Sequence, residues 1–145
     1  MADKPSYEDL EQKVMELQKE AVKRKLAEEA LRDSEKRFRE IIEDVSNIAV
    51  QAYDEKRRVT FWNQASEKLY GYSNNEALGK KLEDLIIPSF MKEGVKNLHH
   101  RWIEYGEKIP AEELNLINKS GNIVPVFSSH AMNETIHGKE MFCID

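Results

Sequence analysis

The stretch VTFWNQASEKLYGYSNNEALGK, Val59–Lys80, decides the fold because it predicts a strand followed at once by two short capped helices. The run VTFW is rich in β-branched and aromatic residues, as strands are. Asn63 is placed to cap a helix that Gly71 can end in a left-handed turn. Ser73 and Glu76 have the spacing of a capping box at the start of a second helix. A strand followed by such helices predicts a mixed domain of α and β elements.

The flanking sequence predicts four more strands and two more helices. Upstream, NIAVQAY (47–53) and the polar turn DEKR complete a hairpin with the VTFW strand. Downstream, KKLEDLIIP predicts one turn of helix closed by Pro88, and residues 89–105 predict the longest helix of the domain, ended by Gly106. The runs EELNLIN and NIVPVFSSHAM flank the turn NKSG, and GKEMFCID predicts a last strand. Five strands, with the helices between the second and the third, predict an α+β sheet domain. Pro125 lies inside a predicted strand and conflicts with it, because proline favours edges and bulges.

The N-terminal part has a different pattern, with no Gly or Pro from Tyr7 to Asp44 and charges of both signs interleaved. Apolar residues with alternating spacings of three and four predict a coiled-coil seam. The same phase brings Arg24 and Glu28 onto the seam, so the coil either loosens there or changes phase through Val22, Leu26 and Ala30. The alternative is a solvated helix packed on its own domain.

We expect a parallel homodimer through this helix, because so narrow an apolar stripe gains little in isolation. The residues expected in the dimer seam are Leu10, Val14, Leu17, Leu31 and Phe38. The predicted domains are a coiled-coil helix over residues 1–33 and a sheet domain over residues 34–145.

Composition limits the classes of function. The length of 145 residues allows one compact domain with an appendage. The 22 basic and 27 acidic residues give a formal charge of −5, with no basic face that would favour nucleic acid or a membrane surface. Cys143 is the single cysteine, and the sequence has neither a signal-peptide pattern nor an apolar run of about 20 residues. We therefore expect a cytoplasmic domain, on its own or as the cytoplasmic part of a membrane-anchored sensor, without nucleic-acid or direct membrane contact.

The order of these elements resembles the PAS sensor domain family from Ser34 to the end of the chain. The most specific pieces are the opening stretch and NKSGNIVPV (118–126), with Pro88 closing the segment between them. The run AEEALRDSEKRF (27–38) is similar to the helical linker that precedes PAS domains in bacterial sensor kinases and related signalling proteins. The final CID is similar to the start of the D-I-T signature, where the family passes into its output helix. That similarity assigns signal output to Asp145.

The resemblance implies a five-stranded antiparallel sheet in the order 2-1-5-4-3, with helices on one face and a small pocket between them. It implies a sensory input and dimerisation module of a bacterial signal-transduction protein, with a sensor histidine kinase as the expected full-length protein. The alternative is a ligand-free relay module of a non-kinase regulator such as a diguanylate cyclase or a transcription factor. The inward face of each strand is a choice that the sequence leaves open. With one set of alternate strand residues taken as inward-facing, the pocket candidates are Val50, Ala52, Phe61, Asn63, Leu85, Val95, Leu98, His99, Trp102, Val126 and Ser128.

Two cofactors known from the family are not expected. Of the adjacent histidines, only His99 shares a helical face with Val95, whereas His100 is turned about 100° away. In haem-binding members the proximal histidine follows the proline that matches Pro88 by seven residues, and valine, which stands there, cannot ligate iron. In light-sensing members a cysteine follows the glycine that matches Gly79, and GKKLEDL lacks it. Non-covalent flavin, met by Trp62 and Asn63, and a small metabolite remain open.

Metal binding and catalysis are not expected either. Adjacent histidines on a helix diverge, and the sequence has no recognisable set of three or four converging ligands. The acidic residues Glu76, Glu83 and Asp84 are explained by helix capping and solvated faces. In the run SSH, neighbouring residues on a strand point to opposite faces, so the run by itself forms no nucleophile and base pair. This fragment is therefore interpreted as non-enzymatic.

Overall fold

The computed structural model describes residues 3–45 and 47–145. A long helix, α1, precedes five strands and four shorter helices. The strands are β1 (Val50–Tyr53), β2 (Val59–Trp62), β3 (Glu112–Ile117), β4 (Ile123–Thr135) and β5 (Gly138–Ile144). The helices are α1 (Tyr7–Asp44), α2 (Gln64–Tyr70), α3 (Asn74–Ala77), α4 (Leu82–Leu85) and α5 (Lys92–Tyr105).

The chain divides into two units, of which one ends at Ile41 and the other begins at Ile42. The helix α1 crosses this division, and none of its residues is buried in the single chain. The predicted boundary between residues 33 and 34 stays a prediction, and Met1, Ala2 and Ser46 of the predicted domains lie outside the described residues.

The five strands form one antiparallel sheet in the order β2-β1-β5-β4-β3, which confirms the predicted fold. The hairpin β1–β2 is paired at Ala52↔Phe61. In the centre of the sheet, Gln51 of β1 is opposite Cys143 of β5, and Cys143 is in turn opposite His130 of β4. Because residues directly opposite on neighbouring strands present their side chains to the same face, these three side chains share one face of the sheet.

The position of Pro125 removes the conflict noted in the sequence. Strand β4 pairs with β3 from Ile123 to Ser128, whereas its pairing with β5 begins only at Ser129, opposite Ile144. At Pro125, β4 therefore has a neighbouring strand on one side only. Because that part of β4 is an edge, proline costs the sheet no bond on the open side.

The helix ends follow the capping residues. Asn63 caps α2 by accepting a hydrogen bond from the Ser66 backbone N–H at 2.9 Å, and Gly71 follows it with φ of 80°. Ser73 and Glu76 form the capping box of α3. The helix predicted from residue 89 instead begins as a 3-10 turn, Ser89–Met91, before α5. Such turns are frequent at helix N-termini, and here the turn directly follows Pro88.

The core of the second unit is aromatic at its centre. Trp62, Tyr53 and Tyr70 are almost completely buried, and the rings of Trp62 and Tyr70 lie 5.7 Å apart. The indole N–H of Trp62 donates to the Tyr72 carbonyl at 3.0 Å, so the ring is both packed and hydrogen-bonded.

Candidate functional site

A cavity of about 200 Å³ lies between the sheet and the helices of the second unit. Strands β1, β3, β4 and β5 form one wall, and α4, α5 and the segments next to them form the other. The aliphatic and thioether residues of the lining are Leu82, Ile86, Ile87, Met91, Val95, Leu98, Ile109, Leu114, Leu116 and Met141. The other lining residues are Gln51, Gly94, His99, Glu112, Ser128, His130, Cys143 and Asp145.

The sheet register brings most of the polar lining together. Gln51, Cys143 and His130 stand side by side on β1, β5 and β4. Asp145 and Ser128 lie two residues away along the strand from Cys143 and His130, on the same face by alternation. The polar groups of the sheet wall therefore form one patch, and His99 is added to the lining by α5.

Four of the pocket candidates from the sequence line this cavity, namely Val95, Leu98, His99 and Ser128. The other seven are placed elsewhere among the described residues. On β1 the lining residue is Gln51, so Val50 and Ala52 project from the opposite face, and Phe61 is paired opposite Ala52. Leu85 and Trp102 belong to the core, Asn63 is the helix cap, and Val126 lines a shallow depression beside Ala65 and Leu69.

Gln51 is a lining residue that the sequence reasoning did not select. Its side chain is fully buried, and its Nε2 donates to the Ser66 hydroxyl at 2.9 Å. Its Oε1 has no hydrogen-bond partner within the described chain. The signal that could have identified it is the single amide in the otherwise apolar run IAVQAY (48–53), since a buried polar side chain is more informative than an apolar one.

Ser66 and Asn63 connect Gln51 to the end of α1. The Ser66 hydroxyl lies 2.8 Å from Asn63 Oδ1, and Asn63 Oδ1 also accepts from the Val50 backbone N–H at 3.0 Å. The Asn63 amide nitrogen donates to the carbonyls of Ile42 and Ile48 at 3.0 and 2.9 Å. Ile42 lies in the last turn of α1 and belongs to the second unit. A continuous set of hydrogen bonds thus joins a cavity residue to that turn.

Only 1% of His99 is exposed, and neither ring nitrogen makes a hydrogen bond of standard geometry within residues 3–45 and 47–145. The backbone of Asp54 is close enough to the ring to raise its pKa, against the larger effect of burial. Burial lowers the pKa of His99 below its ordinary value of 6.5, and the Arg57 guanidinium lowers it further. The imidazole is therefore neutral at neutral pH and offers one donor and one acceptor to whatever shares the cavity. His100, the adjacent residue, is exposed.

Arg57 forms a partly buried ion pair with Glu83, so Glu83, although it lies in the first turn of α4, is not part of a solvated face as the sequence predicted. Its Nε lies 3.1 and 3.2 Å from the two carboxylate oxygens, and an outer nitrogen lies 3.1 Å from Oε1. The Glu83 side chain is only 4% exposed. Burial raises the pKa of Glu83, but the hydrogen bonds from Arg57 outweigh this and hold the pKa below its ordinary value.

At the sheet wall, Ser128 Oγ lies 3.2 Å from His130 Nε2, so these two side chains do meet on one face. His130 Nδ1 makes no hydrogen bond of standard geometry to a side chain of the described residues, so no side chain among them orients the imidazole as the third member of a catalytic triad would. Asp145 Oδ2 accepts from the Tyr70 hydroxyl at 2.5 Å, and its Oδ1 has no partner there. Burial raises the pKa of the Cys143 thiol well above its ordinary value, so Cys143 is not a thiolate. These groups can hold a ligand through hydrogen bonds, and they do not form an activated nucleophile.

Among residues 3–45 and 47–145, no three His, Cys, Asp or Glu side chains are grouped closely enough to hold a metal ion. Nor does any described helix combine the length and the apolar character that a membrane span requires.

Comparisons with known proteins agree with this architecture. The family model described as "PAS domain" matches residues 45–145. Among solved structures, the PAS domain of a Colwellia psychrerythraea protein is 21% identical, with a TM-score of 0.64 over 75% of this chain and 93% of that chain. The PAS domain of an HTR-like protein from Haloarcula marismortui is 17% identical, with a TM-score of 0.60 over 83% and 96%. No curated protein matches the sequence.

A further similar structure contains a small molecule. The PAS domain of the Cronobacter turicensis quorum-sensing receptor RpfR, in complex with C12:0, is 14% identical to this chain. Its TM-score is 0.54, over 68% of this chain and 90% of that chain. At such identities the similarity establishes the shared fold alone.

Proposed function

This chain belongs to the PAS domain family, and on that premise we propose that its second unit is a sensory input domain that binds a small molecule in the cavity. The family is generally sensory and not catalytic, which is consistent with a signalling role for this fragment. The bound molecule changes the state of the domain, and the domain passes that change to an effector. A sensor histidine kinase of bacterial type is the effector we propose, because residues 27–38 are similar to the linker found in such kinases.

The observation that carries the proposal is a set of buried polar atoms without hydrogen-bond partners, on two side chains that line the cavity. Gln51 Oε1 and both ring nitrogens of His99 lie inside the domain without a hydrogen-bond partner in the described residues. Buried polar atoms in proteins are nearly always hydrogen-bonded, since an unpartnered one costs about 1–3 kcal/mol. A ligand that hydrogen-bonds to Gln51 and His99 removes that cost. The RpfR domain in complex with C12:0 supports the idea that this fold admits small molecules.

The proposed relay runs through Ser66 and Asn63. A ligand that binds Gln51 Oε1 acts on the same amide group whose nitrogen donates to Ser66. Ser66 and Asn63 transmit the change to the Ile42 carbonyl in the last turn of α1. A second connection is Asp145, which lines the cavity and whose backbone exchanges two hydrogen bonds with Ala49. The ligand can shift the domain only by the difference in its affinity for the two states.

We propose that the chain is a homodimer through α1. The apolar side chains of the stripe are about half exposed or more in the single chain, as expected of residues that a partner helix covers. They are Leu10, Val14, Leu17, Leu31 and Phe38. The same exposed stripe favours the second candidate function, a relay module that dimerises without a ligand, as in a diguanylate cyclase or a transcription factor.

The purified chain itself distinguishes these two functions. Native mass spectrometry and a visible spectrum should reveal a small molecule that is lost on denaturation. The variant His99→Leu should lose it, whereas the neighbouring surface variant His100→Leu should keep it. A colourless wild-type protein of unmodified mass, whose melting temperature no small molecule raises, would contradict the sensory proposal and favour the ligand-free relay.

A further inference from the structure

The size and walls of the cavity limit the body of its ligand. In another protein an apolar cavity of about 150 Å³ accommodates benzene. In proportion, the 200 Å³ found here accommodates a body of about eight non-hydrogen atoms. Because most of the lining side chains are aliphatic, that body should be apolar.

The Gln51 amide is oriented with its nitrogen toward the Ser66 hydroxyl. The Ser66 hydroxyl has one hydrogen, and it lies within hydrogen-bond distance of the acceptors Asn63 Oδ1 and Val50 O. With that hydrogen directed at Asn63 Oδ1 or Val50 O, the Ser66 oxygen accepts from the Gln51 nitrogen, as the structure has it, and Oε1 is the atom without a partner in the described chain. A free amide oxygen can only accept, so it selects for a donor on the ligand.

The charged groups of the lining also favour a ligand that donates hydrogen bonds over one that is anionic. Asp145 Oδ1 is a second acceptor without a partner, and the remaining charged lining residue is Glu112. None of the described residues that line the cavity is a lysine or an arginine. Arg57 is the cation that affects the pKa of His99, and its guanidinium is already hydrogen-bonded to both carboxylate oxygens of Glu83. An anionic ligand would therefore lie near carboxylates without a free cation in the lining to compensate it.

We propose that the cavity selects small molecules with an apolar body and a hydrogen-bond donor, such as primary alcohols and amines, and discriminates against carboxylates. The donor is received by Gln51 Oε1 and Asp145 Oδ1, and the neutral His99 contributes one further hydrogen bond. This inference rests on the proposed function, because it names the chemical class that the sensory cavity takes.

The test compares probes that share one ring and differ in the head group. Benzyl alcohol, benzylamine, benzoate and toluene are titrated into the 145-residue chain at pH 7, with binding followed by calorimetry and by the melting temperature. Benzyl alcohol and benzylamine should bind about tenfold or more tightly than benzoate, and more tightly than toluene. In Asp145→Asn the preference for benzylamine over benzoate should shrink about tenfold. The control is Glu113→Gln, because Glu113 is exposed and, unlike its neighbour Glu112, does not line the cavity. In this variant the preference for benzylamine over benzoate should be unchanged.

The outcomes separate this inference from the proposed function. If benzoate binds as tightly as benzyl alcohol, or if toluene does, the donor preference is wrong while a sensory cavity remains. If Asp145→Asn, folded by its melting curve, keeps the full preference, Asp145 is not the selecting group and the assignment fails. If none of the four probes binds, the inference is overturned. The proposed function is then decided separately, by whether the native mass of the purified protein includes a small molecule.

Discussion

Asn63→Ala tests the most highly connected side chain of the second unit. The Asn63 side chain is fully buried and accepts from the backbone N–H groups of Val50 and Ser66, at 3.0 and 2.9 Å. It also donates to the carbonyls of Ile42 and Ile48. Alanine removes all of these bonds without removing much apolar contact, so the loss of stability measures the bonds.

The expected loss is about 3 kcal/mol. Removing a helix N-cap costs about 1 kcal/mol, and leaving the Val50 N–H buried without a partner costs about 1–3 kcal/mol. The carbonyls of Ile42 and Ile48 add little, because Ile48 is exposed and Ile42 is only partly buried, so water can replace Asn63 there. The sum lies within the range of large single-residue effects, and it has a named cause.

Urea unfolding followed by tryptophan fluorescence measures this loss. Trp62 and Trp102 are the only two tryptophans, both are buried, and both belong to the second unit. With a slope of about 1.5 kcal/mol per M, the midpoint should fall by about 2 M. Asn75→Ala, at an exposed position in α3, is the matched control and should change stability by no more than about 0.5 kcal/mol. A loss below about 1 kcal/mol in Asn63→Ala would refute the reasoning that these bonds hold the domain together.

Three further predictions concern other parts of the chain. Arg57→Met should lower stability at pH 7 by about 3 kcal/mol, because it leaves Glu83 buried and unpaired. Because Arg57 holds the pKa of Glu83 below its ordinary 4.5 despite burial, the contribution of the pair is present above about pH 4.5 and is lost as the pH falls through the folded-state pKa. Urea midpoints measured from pH 7 to 3 should therefore converge for wild type and variant. If α1 forms the proposed dimer, Leu17→Glu should convert it to a monomer in sedimentation, whereas Gln12→Glu, on the opposite face of the helix, should not. A wild-type monomer at high concentration would contradict the coiled coil. Deleting residues 1–30 should leave the cooperative unfolding of the second unit intact, and its collapse would show that this helix segment is part of the core.

Local rules were enough to predict the order of the elements and those helix ends that a capping residue marks. Asn63, Gly71 and the Ser73–Glu76 pair each act within about four residues, so their roles could be recognised in the sequence and are present in the structure. The strand order came from the resemblance to a family and is confirmed. Pro125 is instructive, because its tolerance depends on where the neighbouring strand stops, which no local pattern shows.

The inward face of β1 could not be predicted for a physical reason. All four of its residues are buried, so the alternation that usually separates core from solvent is absent. The alternation chosen for β1 placed Val50 and Ala52 inward, whereas the cavity is lined by Gln51. The Arg57–Glu83 pair was missed because its members are 26 residues apart in sequence, and ion pairs at that separation leave no periodic signal.

The hydrogen-bond route from Gln51 to Ile42 also limits how a ligand can signal. A bond to Gln51 Oε1 that merely polarises the amide strengthens its bond to Ser66 by roughly 10–30%, a few tenths of a kcal/mol at most. Changing a two-state population from 1:99 to 99:1 requires about 5.5 kcal/mol. Polarisation alone is therefore too weak to act as a switch.

A ligand that rotates the Gln51 amide away from Ser66 acts more strongly, since it removes a whole hydrogen bond worth about 1 kcal/mol. The rest of the free energy must come from apolar contacts that the ligand makes in only one of the two states, at about 25 cal/mol per Å² buried. It follows that an effective signal molecule must both reach Gln51 and fill the cavity. A molecule that carries a hydrogen-bond donor but is too small to fill the cavity should bind without signalling. Methanol should therefore leave the association of α1 helices unchanged, whereas benzyl alcohol should change it.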